Sequence, residues 1–403
     1  MSWEKVKLGD VCKIGDGAHA SLKRLSHGIP YLTAKNLTRN GIDVQNLDFI
    51  DETTYNKHFK ESSTALTRPQ KNDILYSIIG SIGGVYLVKD EKIGISSSVA
   101  IFRSNPSILI SKYLYYYLKS SLFDSQIQAI KGGVAQGFMS LSKLSSIEIS
   151  YPLEIKTQKR IADILSAYDN LIENNQKQIK LLEEAAQRLY KQWFIDLRFP
   201  SHETTKIVDG LPEGWRKDTV DSIVSLLSGF AFKSNSFSEN GVFKIVTIKN
   251  VQDGIFDGEN VSLIDEIPAK MSEHCILNSG DILLSLTGNV GRVCMVVGEN
   301  YLLNQRVAKL KSDYPSFTYC LFRSKDMFDE MNNLANGAAQ QNLSPIRTGQ
   351  IKITVPSADI LKMFENRISP LISRMLILWK QNKYLIQFRN RLLPKLMNGE
   401  ILA

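Results

Sequence analysis

One half of this 403-residue chain restates the other, at a period of about 205–214 residues. Trp3–Gly17 (WEKVKLGDVCKIGDG) aligns with Trp215–Gly229 (WRKDTVDSIVSLLSG), and Tyr31–Leu37 (YLTAKNL) with Ile245–Val251 (IVTIKNV). Asn72–Val85 (NDILYSIIGSIGGV) aligns with Gly280–Val293 (GDILLSLTGNVGRV). Val99-Ala100, Gly132–Gly137 and Ile147–Pro152 find partners at Val307-Ala308, Asn336–Gln341 and Ile351–Pro356. The matches keep their order throughout while identity stays low, so architecture is what the halves share. A repeat this long is a pair of whole domains, because solenoid units run only 20–50 residues.

Within each copy the hydrophobic pattern is mixed. DILYSI and DILLSL are apolar, glycine-bounded runs that read as buried strands. IEISYP and IKITVP alternate and stop at proline, as an exposed strand does. Lys112–Ile130 has helical spacing. Each copy is therefore expected to be an α+β domain of about 150 residues.

After each copy the period changes. Tyr168, Ile172, Asn175, Ile179, Leu182, Ala186, Leu189 and Trp193 alternate four and three residues apart, the a/d seam of a coiled coil. Ile368, Leu371, Met375, Leu378, Asn382, Leu385 and Leu392 repeat the pattern, which slips at Arg389. Thr157 to Trp193 would make a rod of roughly 55 Å, whereas Pro370 and Pro394 are expected to bend or break the second rod. A seam this narrow favours pairing with another helix over packing on a domain. An asparagine on each seam would fix register and partner. The expected fold is α+β: two similar recognition domains in tandem, each followed by a long helix, the helices pairing as an antiparallel coiled coil. The boundaries are 1–152 for the first domain, 153–200 for the first helix and linker, 201–355 for the second domain and 356–403 for the second helix.

Composition narrows the function. No run approaches the roughly 18 apolar residues of a membrane span, and the opening residues hold no secretory signal, so a cytoplasmic protein is expected. Cys12, Cys275, Cys294 and Cys320 form no CxxC pair, and His19, His27, His58, His202 and His274 show no ligand spacing, so no metal site is expected. There is no phosphate-loop motif, no GxSxG elbow and no NPPY-type tetrapeptide. No catalytic residue is expected. The net charge of +8 is unevenly spread: +5 over residues 1–150, +1 over 151–200, −3 over 201–355 and +5 over 356–403. Such a balance permits nucleic-acid binding through local patches.

Recognition then remains. Two similar domains at a fixed separation suit duplex DNA, whose half-sites recur about every 34 Å. Because the copies differ, the site is expected to be bipartite and asymmetric. Base edges need side chains such as Asn, Gln and Arg, and phosphates need Lys, Ser, Thr and backbone N–H. The equivalent polar positions are Lys35, Asn36, Ser77, Ser81, Lys131 and Gln136 in the first copy. In the second they are Lys249, Asn250, Ser285, Thr287, Asn289, Arg292, Gln340, Gln341 and Asn342. Residues common to both copies are also those the fold itself requires, which biases the set toward scaffold and phosphate positions. A scaffold with two peptide-binding domains on a helical rod, and a self-contained DNA enzyme, are the rival readings.

The chain also resembles the specificity subunits of type I restriction–modification enzymes over essentially its whole length. The resemblance rests on the opening WEKVKLGDV, the twin strand–glycine motifs, the GVAQG and GAAQQNLS loops, the joint SYPLEIKTQKRIADILSAYDNLIENN and the linker Trp193–Trp215. The second joint, VPSADILKMFENRISPL, lacks the Gln-Lys-Arg-Ile run of the first. The resemblance implies two target-recognition domains that each read half of a bipartite site in double-stranded DNA. It implies helices that set the spacer and dock two methyltransferase (modification) subunits, with motor–nuclease (restriction) subunits added. S-adenosylmethionine, ATP and Mg²⁺ would reside on those partners and none in this chain.

Overall fold

The computed structural model describes residues 2–39, 41–44, 46–131, 137–335 and 342–401. The chain forms two compact units, Met1–Leu171 with Leu385–Ala403, and Ile172–Tyr384. Both long helices are thus divided between the units.

In the first unit the buried run Ile74–Ser77 lies inside a four-stranded antiparallel sheet, between Val99–Ser104 and Val85–Leu87, with Cys12–Asp16 on the outer side of Val99–Ser104. Ile29–Leu32 starts a smaller mixed sheet, antiparallel to Asp48–Ile50 and parallel to Gly94–Ile95. The strand Trp3–Lys7 pairs with Glu148–Pro152. The latter buries Ile149, Tyr151 and Pro152 and exposes Glu148, so the strand expected to be exposed is largely covered. The helical stretch near Lys112 is two helices, Ser111–Leu118 and Ser121–Lys131. They part at Ser120, whose hydroxyl donates to the Tyr117 carbonyl at 2.6 Å.

The second unit repeats this plan. Ile282–Ser285 lies between Val307–Lys311 and Val293–Met295, with Ser225–Ser228 outermost. Phe243–Val246 pairs antiparallel with Ser262–Ile264 and parallel with Tyr301–Leu303. Arg216–Thr219 pairs with Lys352–Val355. The linker is packed rather than loose: Trp193, Phe194, Phe199 and Trp215 are all buried in this unit's main core.

The helices span Ile155–Tyr190 and Ala358–Met397. In the second unit the Asn175 amide donates to Asn382 Oδ1 at 2.9 Å, and the Trp193 and Phe364 rings lie 5.7 Å apart. In the first unit Arg389 donates to Asp169 at 2.5 Å, and Leu393, Leu396 and Met397 share a core with Ile161, Ala162 and Leu165. As one helix is followed forward the facing residue on the other moves backward, so the pairing is antiparallel. Ile172, Asn175, Ile179, Trp193, Ile368, Met375, Leu378 and Asn382 are buried; Tyr168, Leu182, Leu189, Leu371 and Leu385 are half-buried. Pairing and packing on a globular core are not alternatives here, because the same stretches do both.

The prolines correct the expectation of a break. The second helix runs unbroken through Pro370 and Pro394. Each proline removes one ladder hydrogen bond, but Asn366 and Asn390, whose carbonyls lose a donor, are both exposed and open to water. The seam on the opposite face holds the helix together. The two joints differ in chemistry. Buried Gln158 accepts from the Ile110 N–H at 3.0 Å and donates to the carbonyls of Ile108 and Pro152, both at 2.8 Å. In the second unit Glu365 accepts instead from the N–H groups of Ser316 and Phe317 at 3.1 and 2.8 Å.

Candidate nucleic-acid interface

Each central strand ends in a glycine turn held by its last serine. The Ser77 hydroxyl donates to the Ser81 carbonyl at 2.6 Å and accepts from the Gly84 N–H at 2.8 Å. Ser285 donates to the Asn289 carbonyl and accepts from the Arg292 N–H at 3.3 Å. Gly80 and Gly288 both have φ of +71°, a conformation that glycine adopts without strain. Beyond the two short helices, Gly137–Met139 and Asn342-Leu343 lie against this turn. Gly80 N–H donates to Gly137 at 3.0 Å and Met139 N–H to Ile78 at 2.9 Å. In the second unit Leu343 N–H donates to Leu286 at 2.7 Å, and Thr287 bridges Asn342.

A second turn packs beside it. A Cβ at Gly84 would stand 2.2 Å from the Leu37 carbonyl oxygen, so only glycine lets these turns meet. Asn36 Oδ1 accepts from Thr33 N–H and Oγ1 at 2.9 and 3.0 Å, while its amide donates to the Asn46 carbonyl at 3.0 Å. Asn250 does the same with Thr247 at 2.8 and 2.9 Å, and donates to Asp257 and Asn260 at 2.9 and 3.0 Å.

Four predicted contact residues are corrected here. Asn36, Asn250, Ser77 and Ser285 are 4%, 0%, 0% and 0% exposed. Their hydrogen-bonding groups are committed inside the fold, so they shape the turns and do not face a ligand. Lys35, Lys249, Ser81, Asn289 and Asn342 are exposed on or beside the same turns. Arg292 is half-buried and donates to Gln252. Lys131 closes the helix Ser121–Lys131, and Gln136, Gln340 and Gln341 lie outside the described residues.

The structure adds a third turn that the sequence reading missed. Ile78 N–H donates to Ser98, and Leu286 N–H to Arg306, at 2.9 and 3.0 Å, so Ser96–Ser98 and Asn304–Arg306 are equivalent. In the second unit this turn exposes Gln305 and Arg306. Arg306 lines two concavities, of about 450 and 590 Å³. The first is also lined by Gln305, Asn342 and Thr287, whose buried hydroxyl has no partner among the described residues. The second is lined by Lys249. The available signal was position: Gln305-Arg306 directly precedes the matched Val307-Ala308, where the first copy has Ser97-Ser98.

These are the parts of a recognition surface: exposed bidentate side chains, cations at the rim and backbone groups at tight turns. The cysteines offer no nucleophile. All four are buried, and burial pushes the Cys12 thiol up to about 12 and those of Cys294 and Cys320 further. Among the described residues no His, Cys, Asp and Glu group is placed to hold a metal ion.

Duplicated α+β units whose equivalent turns present different polar side chains, with antiparallel helix pairing built into each, define a class of tandem recognition protein. The chain belongs to the family described as type I restriction modification DNA specificity domain, whose model matches residues 1–184 and 212–378. It is 27% identical over 419 residues to the type I restriction enzyme MjaIX specificity subunit of Methanocaldococcus jannaschii, covering 99% of this chain and 93% of that one. It is 24% identical over 400 residues to the HindI specificity subunit of Haemophilus influenzae, covering 82% and 87%. The crystal structure of a type I restriction–modification S subunit from M. genitalium has the same fold, with a TM-score of 0.59 at 20% identity over 98% of this chain and 96% of that one.

Proposed function

We propose that this chain is the sequence-specificity subunit of a type I restriction–modification assembly and reads a bipartite, asymmetric site in double-stranded DNA. The observation that supports the reading most is the pair of equivalent turns with different polar residues, exposed Gln305 and Arg306 in the second unit against half-buried Ser97 and Ser98 in the first. One scaffold repeated with changed polar residues suits two half-sites of different sequence. In this reading the domains are residues 1–152 and 201–355, and the helices of 153–200 and 356–403 set the spacer. Lys35, Lys249, Ser81, Asn289 and Asn342 serve phosphates and nearby polar edges, while Gln305 and Arg306 read bases in the second half-site. Two methyltransferase subunits dock on this chain and motor–nuclease subunits join them. They supply S-adenosylmethionine, ATP and Mg²⁺ in the cytoplasm. Among the described residues no helix is long and apolar enough to cross a membrane.

The test is selection of duplexes from a random pool by the complex of this chain with its methyltransferase subunits. Two enriched blocks separated by an unread spacer are expected, and Arg306→Ala should relax one block only, by roughly 1–3 kcal/mol at one position. Enrichment of no sequence would overturn the reading.

A further inference from the structure

The two units differ at one half-buried place in a way that leaves a charge unbalanced. In the second unit Arg323 ends the helix Pro315–Arg323. It donates to Glu183 at 2.8 Å and to Asp253, and Tyr319 also donates to Glu183, at 3.0 Å. The guanidinium is satisfied by two carboxylates.

The equivalent of Arg323 is Lys119. Ser120 and Ser324 follow them, donate to the carbonyls of Tyr117 and Leu321 at 2.6 and 2.7 Å, and begin the next helix alike. Tyr115 stands where Tyr319 does. Both carboxylates are gone. Asn36 and Asn250 accept from Asp43 and Asp257 N–H in the same way, which sets Arg39 at the position of Asp253. Glu183 is the eighth residue after its seam asparagine, and the eighth after Asn382 is Asn390.

In their place is a cavity of about 260 Å³, lined by Arg39, Lys119, Arg389, Asn390, Asp124 and Gly83 among others. Arg39 is taken by Asp124 at 2.5 Å, and Arg389 by Asp169 at 2.5 Å. Among the described residues the one partner of the Lys119 ammonium is the Tyr115 hydroxyl, at 3.1 Å. Three cations thus face two carboxylates, and the surplus charge sits on the lysine at the cavity wall. Half-burying an ammonium with no carboxylate bonded to it is unfavourable, so the site can take a further anion.

We infer that this cavity in the first unit is an anion site that takes a phosphate group against Lys119, Arg39 and Arg389. The phosphate supplies the negative charge that Glu183 and Asp253 supply in the second unit. Gly83 belongs to the glycine turn of the candidate interface, so a phosphodiester of bound duplex is one source and free phosphate the other. The duplex source rests on the function proposed above; the anion site does not. Burial, with Arg389 and Arg39 nearby, holds the Lys119 ammonium down to about 8, against the pull of Asp169. Anion affinity should therefore decline above about pH 8, while Tyr115 and Tyr116 stay protonated.

The experiment titrates sodium sulfate into the full chain, with sodium chloride at matched ionic strength as reference. The unfolding midpoint is followed in wild type, Lys119→Met, Lys119→Arg and Asn390→Glu. Sulfate stabilises proteins generally, so the difference between proteins is what reads out. Lys119→Met and Asn390→Glu should each weaken the sulfate response at least fivefold, and Lys119→Arg should retain it. Asn390→Glu restores the internal carboxylate and should raise the midpoint without sulfate, which shows that its lost response is not misfolding. One common response in all four proteins would overturn the site. A second arm measures duplex binding by the assembled complex against salt. If a phosphodiester fills the site, Lys119→Met lowers the log–log slope by about 0.9. An unchanged slope with the sulfate difference intact assigns free phosphate as the occupant. Loss of sequence selectivity in the wild-type complex would count against the proposed function and leave the sulfate arm readable.

Discussion

Lys249 and Asn250 are neighbours in the chain and serve opposite ends. The asparagine is fully buried and holds a turn by four hydrogen bonds; the lysine beside it is exposed. Asn250→Ala should cost about 2 kcal/mol or more in unfolding free energy, since it leaves a Thr247 N–H and two carbonyls without their partner. Lys249→Ala should leave the unfolding midpoint nearly unchanged and flatten the salt dependence of duplex binding. Denaturation curves and binding isotherms on the same two variants separate these roles. The pair also explains what the sequence hid. A residue kept in both copies signals either a shared ligand or a shared fold, and for Asn36, Asn250, Ser77 and Ser285 it signalled the fold. Gln305 and Arg306, which differ between copies, were overlooked for the same reason: a search for recurrence passes over them.

At the scale of elements the pattern was far more legible. The buried strands Ile74–Ser77 and Ile282–Ser285 and both long helices stand where apolar spacing put them. Local pattern misjudged the prolines as possible breaks, because it counts the lost hydrogen bond and not the seam that offsets it. On that seam Asn175 donates to Asn382, whose own amide donates to the Ile172 carbonyl. Asn175→Leu alone should destabilise the protein by about 1–3 kcal/mol, because it strands the Asn382 Oδ1 acceptor in a buried place. The double replacement Asn175→Leu with Asn382→Leu should recover most of that loss in stability, and a double-mutant cycle of unfolding free energies checks it. Whatever is not recovered measures the fit of the leucines.

At the scale of the whole molecule the copies share their architecture and divide their chemistry. The anion site makes the same point as the turns: two arms of one repeat met the problem of a half-buried cation differently, one with carboxylates of its own. Periodicity could not show this, since Arg39 and Asp253 are brought to equivalent positions only by the hydrogen bonds of their turns.

The first compact unit begins at the N-terminus yet takes Leu393, Leu396 and Met397 into its core, whereas the second, Ile172–Tyr384, is continuous in the chain. Order of synthesis and order of completion therefore run opposite ways. On the ribosome the half made first must wait, its core open on one side, until Met397 has been translated. A stop codon after Tyr384 should spare the later-made half and leave the earlier one protease-sensitive. Limited proteolysis of that truncated product would show it, and equal resistance of both halves would refute it.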